Sequence, residues 1–161
     1  MSTSFKEIDK LQKQGNLMDE INTLKSQLAT LVEEAKKEIK VNLVKQLGMS
    51  VYHNGEHVFE LSDTQAVVHS GDAWIIYSSE DPEFFFVGKT LEEAFAKMME
   101  YIIDTKIEYI KNHVLDYKYP LTTPETQEYY RDVLKENLKE LEHALNLLRW
   151  ARNRELTFWL E

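Results

Sequence analysis

The chain has 161 residues with a net charge of −9, and its composition is 43% hydrophobic and 29% charged with only 5 Gly and 3 Pro. This composition indicates one ordered, strongly helical protein with a real core and excludes a disordered chain. The absence of Cys excludes disulfides and thiolate chemistry, and the longest apolar runs are too short to span a bilayer, so we expect a cytoplasmic protein without membrane contact.

The negative charge is concentrated in the middle of the chain. Residues 48–90 contain one basic and seven acidic residues, whereas residues 1–47 are nearly neutral. A surface of this sign repels phosphate, so direct nucleic-acid binding is not expected, and it attracts basic proteins. The alternative is that the acidic groups serve only to keep the protein soluble.

Residues 1–47 have the periodicity of helices. The spacing of Ser4 and Glu7 matches a capping box, and the apolar stripe falters at residues 14–16. We therefore predict a short lead helix, a break, and a long second helix that ends at Gly48. The second helix has apolar residues alternately four and three apart, which is typical of a coiled coil. These residues are Leu17, Ile21, Leu24, Leu28, Leu31 and Ala35.

Residues 48–90 have the pattern of an antiparallel sheet. Asn54-Gly55 is the strongest two-residue hairpin signal, and Ser70-Gly71-Asp72 marks a second turn. The predicted strands cover residues 50–53, 56–61, 65–69, 73–78 and 84–87. The simplest arrangement is a five-stranded meander.

Helical periodicity returns after the sheet. Thr90 and Glu93 form another capping box, and the helix is predicted to continue unbroken to about Tyr117. Thr123 and Pro124 then begin a last helix with a heptad-like stripe. The stripe consists of Tyr130, Leu134, Leu138, Leu141, Leu145 and Leu148.

Together these elements predict an α+β protein that folds as one unit. A long N-terminal helix (1–47) precedes the five-stranded antiparallel meander (48–90), and a long antiparallel helical hairpin (91–161) packs with both. The helices have more apolar surface than one small sheet can cover, which predicts a homodimer formed by coiled-coil-like helix pairing. An intramolecular three-helix bundle is the alternative.

Three short strings have spacings found at active or metal sites, but each lacks a requirement. His53 to His57 matches H-x-x-E-H, which needs a helix rather than a hairpin turn. Gly88-Lys89-Thr90 matches the end of a P-loop, whose first glycine is replaced by Glu83. Glu140 and His143 lack the second Glu-x-x-His pair of a di-iron bundle. No catalytic, cofactor-binding or metal-binding residue is predicted.

The acidic and aromatic content of residues 48–90 favours recognition over reaction. We predict a non-enzymatic protein-binding module, such as an adaptor or inhibitor of the type common among phage and mobile-element products. It would engage a basic or nucleic-acid-binding protein, and salt would weaken the binding. The candidate contact residues are Glu56, Glu60, Asp63, Asp72, Glu80, Asp81, Glu83 and Phe85. A pocket for a nucleotide or metabolite between the sheet and the central helix is the alternative.

The C-terminal end of the chain is locally basic and aromatic. It supplies a secondary set of interface candidates, Arg149, Trp150, Arg152 and Trp159. The competing interpretation is that these residues close the end of the helical bundle. The tyrosines around Pro120 are further candidates for an interface, although they can equally pack the corner between the two helices.

Overall fold

The structure is a computed structural model that describes residues 5–39, 56–60, 65–78 and 85–160, with side chains described for 16–39, 67–69, 71–77 and 85–154. The protein is α+β with an antiparallel sheet. Its elements in chain order are α1 (Phe5–Glu38), β1 (Glu56–Glu60), β2 (Gln65–Ser70), β3 (Ala73–Ser78), β4 (Phe85–Gly88), α2 (Leu91–Tyr109) and α3 (Pro124–Leu160).

Over the described residues the sheet has four strands in the order β1-β2-β3-β4, each antiparallel to its neighbour. The predicted five-stranded meander is therefore wrong. The additional strand at residues 50–53, and the Asn54-Gly55 turn that predicts it, lie outside the described residues. The second predicted hairpin is confirmed, because Ser70 pairs with Ala73 and Gly71 takes the left-handed φ of 59° that glycine adopts without steric cost.

The first helix is longer at its N-terminal end than the sequence predicts. The predicted break at residues 14–16 is wrong, because α1 continues from Phe5 through Gly15 to Glu38. A glycine inside a helix costs only about 1 kcal/mol relative to alanine. Burial of Leu17 and Ile21 in the following turns offsets such a cost. The predicted end at Gly48 lies outside the described residues.

The second long helix changes character before its predicted end. Its α-helical part stops at Tyr109, and residues 110–115 form a π-helical segment. The helix therefore continues to Leu115, close to the predicted end near Tyr117, but not as one regular α-helix. Ile110 and Val114 of the segment are buried. The phenol of Tyr130 donates a hydrogen bond of 2.5 Å to the Val114 carbonyl. A side chain that engages the backbone in this way is one recognised cause of a local departure from α-helix.

The chain divides into two compact units that are not continuous in sequence. Residues 1–38 and 105–143 form the first unit, and residues 39–104 and 144–161 form the second. The predicted antiparallel helical hairpin at 91–161 is therefore wrong, because α2 and α3 do not form one segment but each contribute to both units. The sequence-based boundaries at residues 47 and 90 stay a prediction.

Each unit has a core of its own. The first unit buries side chains of α1, the end of α2, the π-helical segment and the first part of α3; they include Ile21, Leu28, Val32, Ile107, Ile110, Tyr130, Leu134 and Leu141. The second unit buries side chains of the sheet, the first part of α2 and the last part of α3; they include Val67, Val68, Ile75, Ile76, Ala94, Met98, Ile103, Leu145 and Leu148.

Both faces of the sheet are covered at its central strands. Val67 and Val68 are consecutive and therefore point to opposite faces, yet both are buried, and the same holds for Ile75 and Ile76. On the face shared by Val67 and Ile76, the ring of Phe86 lies 5.7 Å from that of Tyr101. The helix α2 therefore packs against this face of the sheet.

The predicted starts of α2 and α3 are confirmed by their hydrogen bonds. The Glu93 backbone N–H donates to the Thr90 hydroxyl at 3.1 Å, as in a capping box, and the Glu93 carboxylate accepts at 2.9 Å from the N–H of Lys89, the residue before the cap. At α3 the N–H of Thr126 donates to the Thr123 hydroxyl at 3.2 Å. These side chains satisfy backbone donors that a helix end leaves without partners.

Candidate partner-binding site

The end of the β2–β3 hairpin carries an aromatic pair beside an exposed carboxylate. His69 and Trp74 are opposite each other on the two strands, and their rings are stacked 4.4 Å apart with an interplanar angle of 21°. Both side chains are half-buried, whereas Asp72 in the turn is exposed. We call His69, Asp72 and Trp74 the hairpin-tip patch. Because stacking already restrains the two rings, they lose little freedom when a partner binds.

The chemistry of the hairpin-tip patch suits a positively charged side chain. The Asp72 carboxylate can accept charge-assisted hydrogen bonds from a guanidinium or ammonium group. The indole of Trp74 is the aromatic ring that attracts cations most strongly. Of the two cationic side chains, arginine fits better because its planar group can stack on the ring and still reach a carboxylate.

The first strand bears two of the predicted contact residues. Glu56 lies opposite His69 and Glu60 lies opposite Ala66, with a β-bulge between His57 and Phe59. A bulge inserts one extra residue and so interrupts the alternation of faces along a strand. Alternate residues of this strand therefore do not share one face across the bulge. Of the other acidic candidates, Asp63, Glu80, Asp81 and Glu83 lie outside the described residues.

Phe85 lies at the start of β4, which pairs with β3 at one edge of the described sheet. Its side chain is half-buried. At the same strand, the ammonium of Lys97 donates a hydrogen bond of 2.7 Å to the Val87 carbonyl. A side chain bound to the backbone of an outer strand protects it from pairing with another chain. Partner contact through the backbone of β4 is therefore less favoured than contact through the hairpin-tip patch.

Of the C-terminal candidates, Arg152 forms an internal ion pair, whereas Trp150 is exposed. The Arg152 guanidinium lies 2.7 Å from the carboxylate of Glu100, a residue that is only 5% exposed. Trp150 remains 47% exposed, with the Arg154 guanidinium 4.4 Å from its ring and Phe95 packed edge-on at 6.1 Å. Arg152 therefore contributes to internal structure, in line with the interpretation that these residues close a helical bundle.

The structure assigns no role to the other two C-terminal candidates, Arg149 and Trp159. Arg149 is exposed and has contacts of its own. Trp159 belongs to α3, but its side chain lies outside the described residues. Both remain predictions for an interface.

The connection between the π-helical segment and α3 is held by a ring stack and a hydrogen bond. Tyr117 stacks on the buried Tyr130 with ring centroids 4.5 Å apart, and the Gln127 amide donates to the Leu121 carbonyl at 3.0 Å. Tyr119 and Tyr129 are exposed nonetheless. The inner tyrosines thus pack the corner, whereas the outer two remain interface candidates.

The short strings with active-site spacing do not form metal sites in the described part of the chain. No group of three or more His, Asp or Glu side chains there could hold a metal ion. Glu140 forms an ion pair with Lys106, whose hydrogen bond lowers the pKa of that carboxyl, and His143 is exposed. His53 lies outside the described residues.

Among the described residues, no helix is both long and apolar enough to cross a membrane. Comparison with known proteins gives no match to a protein-family model, to a curated protein or to a solved structure.

Two relevant features were not among the predicted site residues. The first is the His69–Trp74 stack, which a two-residue turn at Gly71-Asp72 implies, because that turn places residues 69 and 74 opposite each other. The second is the buried Glu100, which lies at helical spacing between Ala96 and Ile103. A carboxylate within such an apolar stripe is a signal for a buried ion pair.

Proposed function

We propose that this protein is a non-enzymatic binding module that engages a basic protein through the acidic β region, with the hairpin-tip patch as its principal contact. The observation that carries this proposal is the His69–Trp74 stack next to the hairpin turn that holds the exposed Asp72. Cation binding by the ring and the carboxylate together contributes about 1–3 kcal/mol, or roughly 5- to 150-fold in affinity. The acidic residues Glu80, Asp81 and Glu83 are proposed to add long-range attraction.

The test is affinity capture from the native host with the full chain as bait. Wild type is compared with Asp72→Lys and Trp74→Ala, and Asp116→Lys serves as a control because Asp116 is an exposed carboxylate of the first unit. We expect a basic protein that wild type and D116K retain, that D72K and W74A lose, and that salt releases. Equal retention by D72K, or no basic protein in the wild-type fraction, would contradict the proposal.

The proposal extends to assembly and compartment. The protein is proposed to form a homodimer through its helices and to act in the cytoplasm. The alternative of a small-ligand pocket between the sheet and α2 has no support at the β4 end of that interface. There, a Cβ added to Gly88 would lie 2.5 Å from the Ala94 nitrogen, so strand and helix are already in close contact.

A further inference from the structure

An open groove runs between α1 and α3 in the first unit. Its volume is about 470 Å³. It is lined by Ser26, Gln27, Thr30, Leu31, Glu34, Leu138 and Glu142. Leu31 and Leu138 are both half-buried, so apolar surface remains accessible in the groove beside its polar side chains. We call this surface the α1–α3 groove.

The heptad pattern of α1 is only partly used by the core of its own unit. Leu17, Ile21, Leu28 and Ala35 are buried, and Val32 joins them. The remaining two residues of the predicted stripe, Leu24 and Leu31, are only half-buried. Because leucine at heptad positions is typical of helix pairing, the apolar surface that these two residues leave accessible indicates a second packing surface along α1.

Glu142 lines the α1–α3 groove, and Lys135 lies beyond the lining residues, nearer the N-terminus of α3. Lys135 and Glu142 are seven residues apart, which is two helical turns or about 10 Å, and Leu138 lies between them on the same side of the helix. Lys135 is 3.0 Å from Glu20, a carboxylate that it shares with Arg131 at 3.9 Å. Arg131 also contacts the exposed Asp132.

At the other end of the groove the carboxylates lack cations. Within the described part of the chain, neither Glu34 nor Glu142 has an ion-pair partner. The cation at position 135 and the carboxylate at position 142 are therefore offset along one helix, with an apolar residue between them. Such a Lys-Leu-Glu stripe is complementary to its own reverse.

We infer that the α1–α3 groove is the surface through which two copies of this chain associate, with their α3 helices antiparallel about a two-fold axis near Leu138. This inference rests on the proposed homodimer and names its surface. In that arrangement Lys135 of each copy faces Glu142 of the other, and the half-buried leucines cover one another. A second copy is favoured over an unrelated partner because the charge order matches its own reversal.

The experiment measures the mass of the full-length protein by light scattering and sedimentation across micromolar concentrations. The variants Lys135→Glu and Glu142→Lys each place like charges at both symmetric contacts. Each alone is expected to raise the dimer dissociation constant about tenfold or more. Mixed in equal amounts, the two variants should form a heterodimer with wild-type affinity. Positions 135 and 142 are then both acidic in one copy and both basic in the other, so opposite charges meet at each contact.

Two controls distinguish loss of the proposed contact surface from a general effect of charge or from unfolding. Lys118→Glu makes the same change of charge at a position of the first unit whose side chain is 83% exposed, and it should dimerise as wild type does. Circular dichroism checks that K135E, which also loses the contact with Glu20, remains folded. A monomeric wild type would overturn the homodimer together with its surface. A dimer that survives both single variants, or one that mixing does not restore, would overturn the surface alone.

Discussion

The guanidinium of Arg152 lies 2.7 Å from the carboxylate of Glu100, so α2 and α3 share a largely buried ion pair in the second unit. Removal of one partner from a buried pair costs about 3–5 kcal/mol because the other charge is left without compensation. Arg152 is partly exposed, so water can replace some of its contacts and the cost falls below that range.

We therefore expect Arg152→Ala to reduce the free energy of unfolding by about 2–3 kcal/mol. Urea denaturation followed by circular dichroism measures the change. Lys118→Ala, at a highly exposed position, is the control and should change stability by less than about 0.5 kcal/mol. An R152A variant as stable as this control would mean that the Glu100 carboxylate does not depend on Arg152.

Gly88 and Gly71 should both lose stability when replaced by alanine, but they should differ in their response to asparagine. A Cβ on Gly88 would lie 2.5 Å from a backbone nitrogen and 2.8 Å from a backbone carbonyl oxygen, whereas Gly71 has open space but a φ of 59°. Gly88→Ala should destabilise by about 2–3 kcal/mol through overpacking, and Gly71→Ala by about 1–2 kcal/mol through backbone strain.

Asparagine distinguishes the two mechanisms. It tolerates the left-handed conformation, so Gly71→Asn should recover most of the stability that Gly71→Ala loses. Gly88→Asn should be at least as damaging as Gly88→Ala because its side chain is larger. Thermal unfolding of the four variants provides the comparison, and equal losses for G71A and G71N would argue against strain at the hairpin turn.

Tyr130 should link stability to alkaline pH. Its phenol donates to the Val114 carbonyl, and burial raises the pKa of Tyr130, with a further contribution from the neighbouring Tyr117. Because the folded pKa lies above the unfolded one, the full stability is present below about pH 10 and is lost as pH rises through the folded pKa.

Tyr130→Phe leaves the buried carbonyl without its donor and should cost about 1–2 kcal/mol at pH 8. The variant cannot ionise at this position, so its stability should fall less steeply than that of wild type above pH 10. Urea unfolding at pH 8 and near pH 11 measures both effects. Parallel pH profiles for the two proteins would show that Tyr130 is not the group responsible.

The ion pair between Lys106 and Glu140 should contribute at neutral but not at acid pH. The hydrogen bond from Lys106 lowers the pKa of Glu140, so the contribution is present above the unfolded pKa and is lost as pH falls through the folded one. Glu140 is 47% exposed, so Lys106→Met should cost only about 0.5 kcal/mol at pH 7.

Wild type and K106M should become equally stable at acid pH, below the folded pKa of Glu140, where this carboxyl is protonated in both. Lys118→Met provides the control, since Lys118 is highly exposed and the variant should match wild type at both pH values. Urea denaturation at the two pH values tests the difference. A gap between wild type and K106M that persists at acid pH would assign the effect to packing of the lysine side chain rather than to charge.

Local hydrogen-bond chemistry made some elements predictable from sequence. The caps at Thr90 and Thr123 need only residues three positions apart, and the hairpin at Gly71 needs only a two-residue turn. Such features depend on near neighbours in the chain. The hairpin-tip patch was accordingly within reach of the sequence, although only Asp72 of its three residues was selected as a candidate.

Features that depend on distant packing were not predictable in the same way. The helix continues through Gly15 because the cost of one glycine is small beside the burial of the turns that follow. In the π-helical segment, Ile110 and Val114 have the spacing of an ordinary helix, so no sequence pattern marks the change. The bulge in β1 similarly becomes visible only from its register with β2.

The interleaving of the two compact units restricts how this protein can be taken apart. The first unit combines residues 1–38 with 105–143, so the shortest continuous piece that contains it also carries residues 39–104 of the second. A single cut in the chain therefore cannot release either unit whole. Transfer of one unit to another protein would require two segments to be exchanged together, so recombination by simple end-to-end fusion is not available to this architecture.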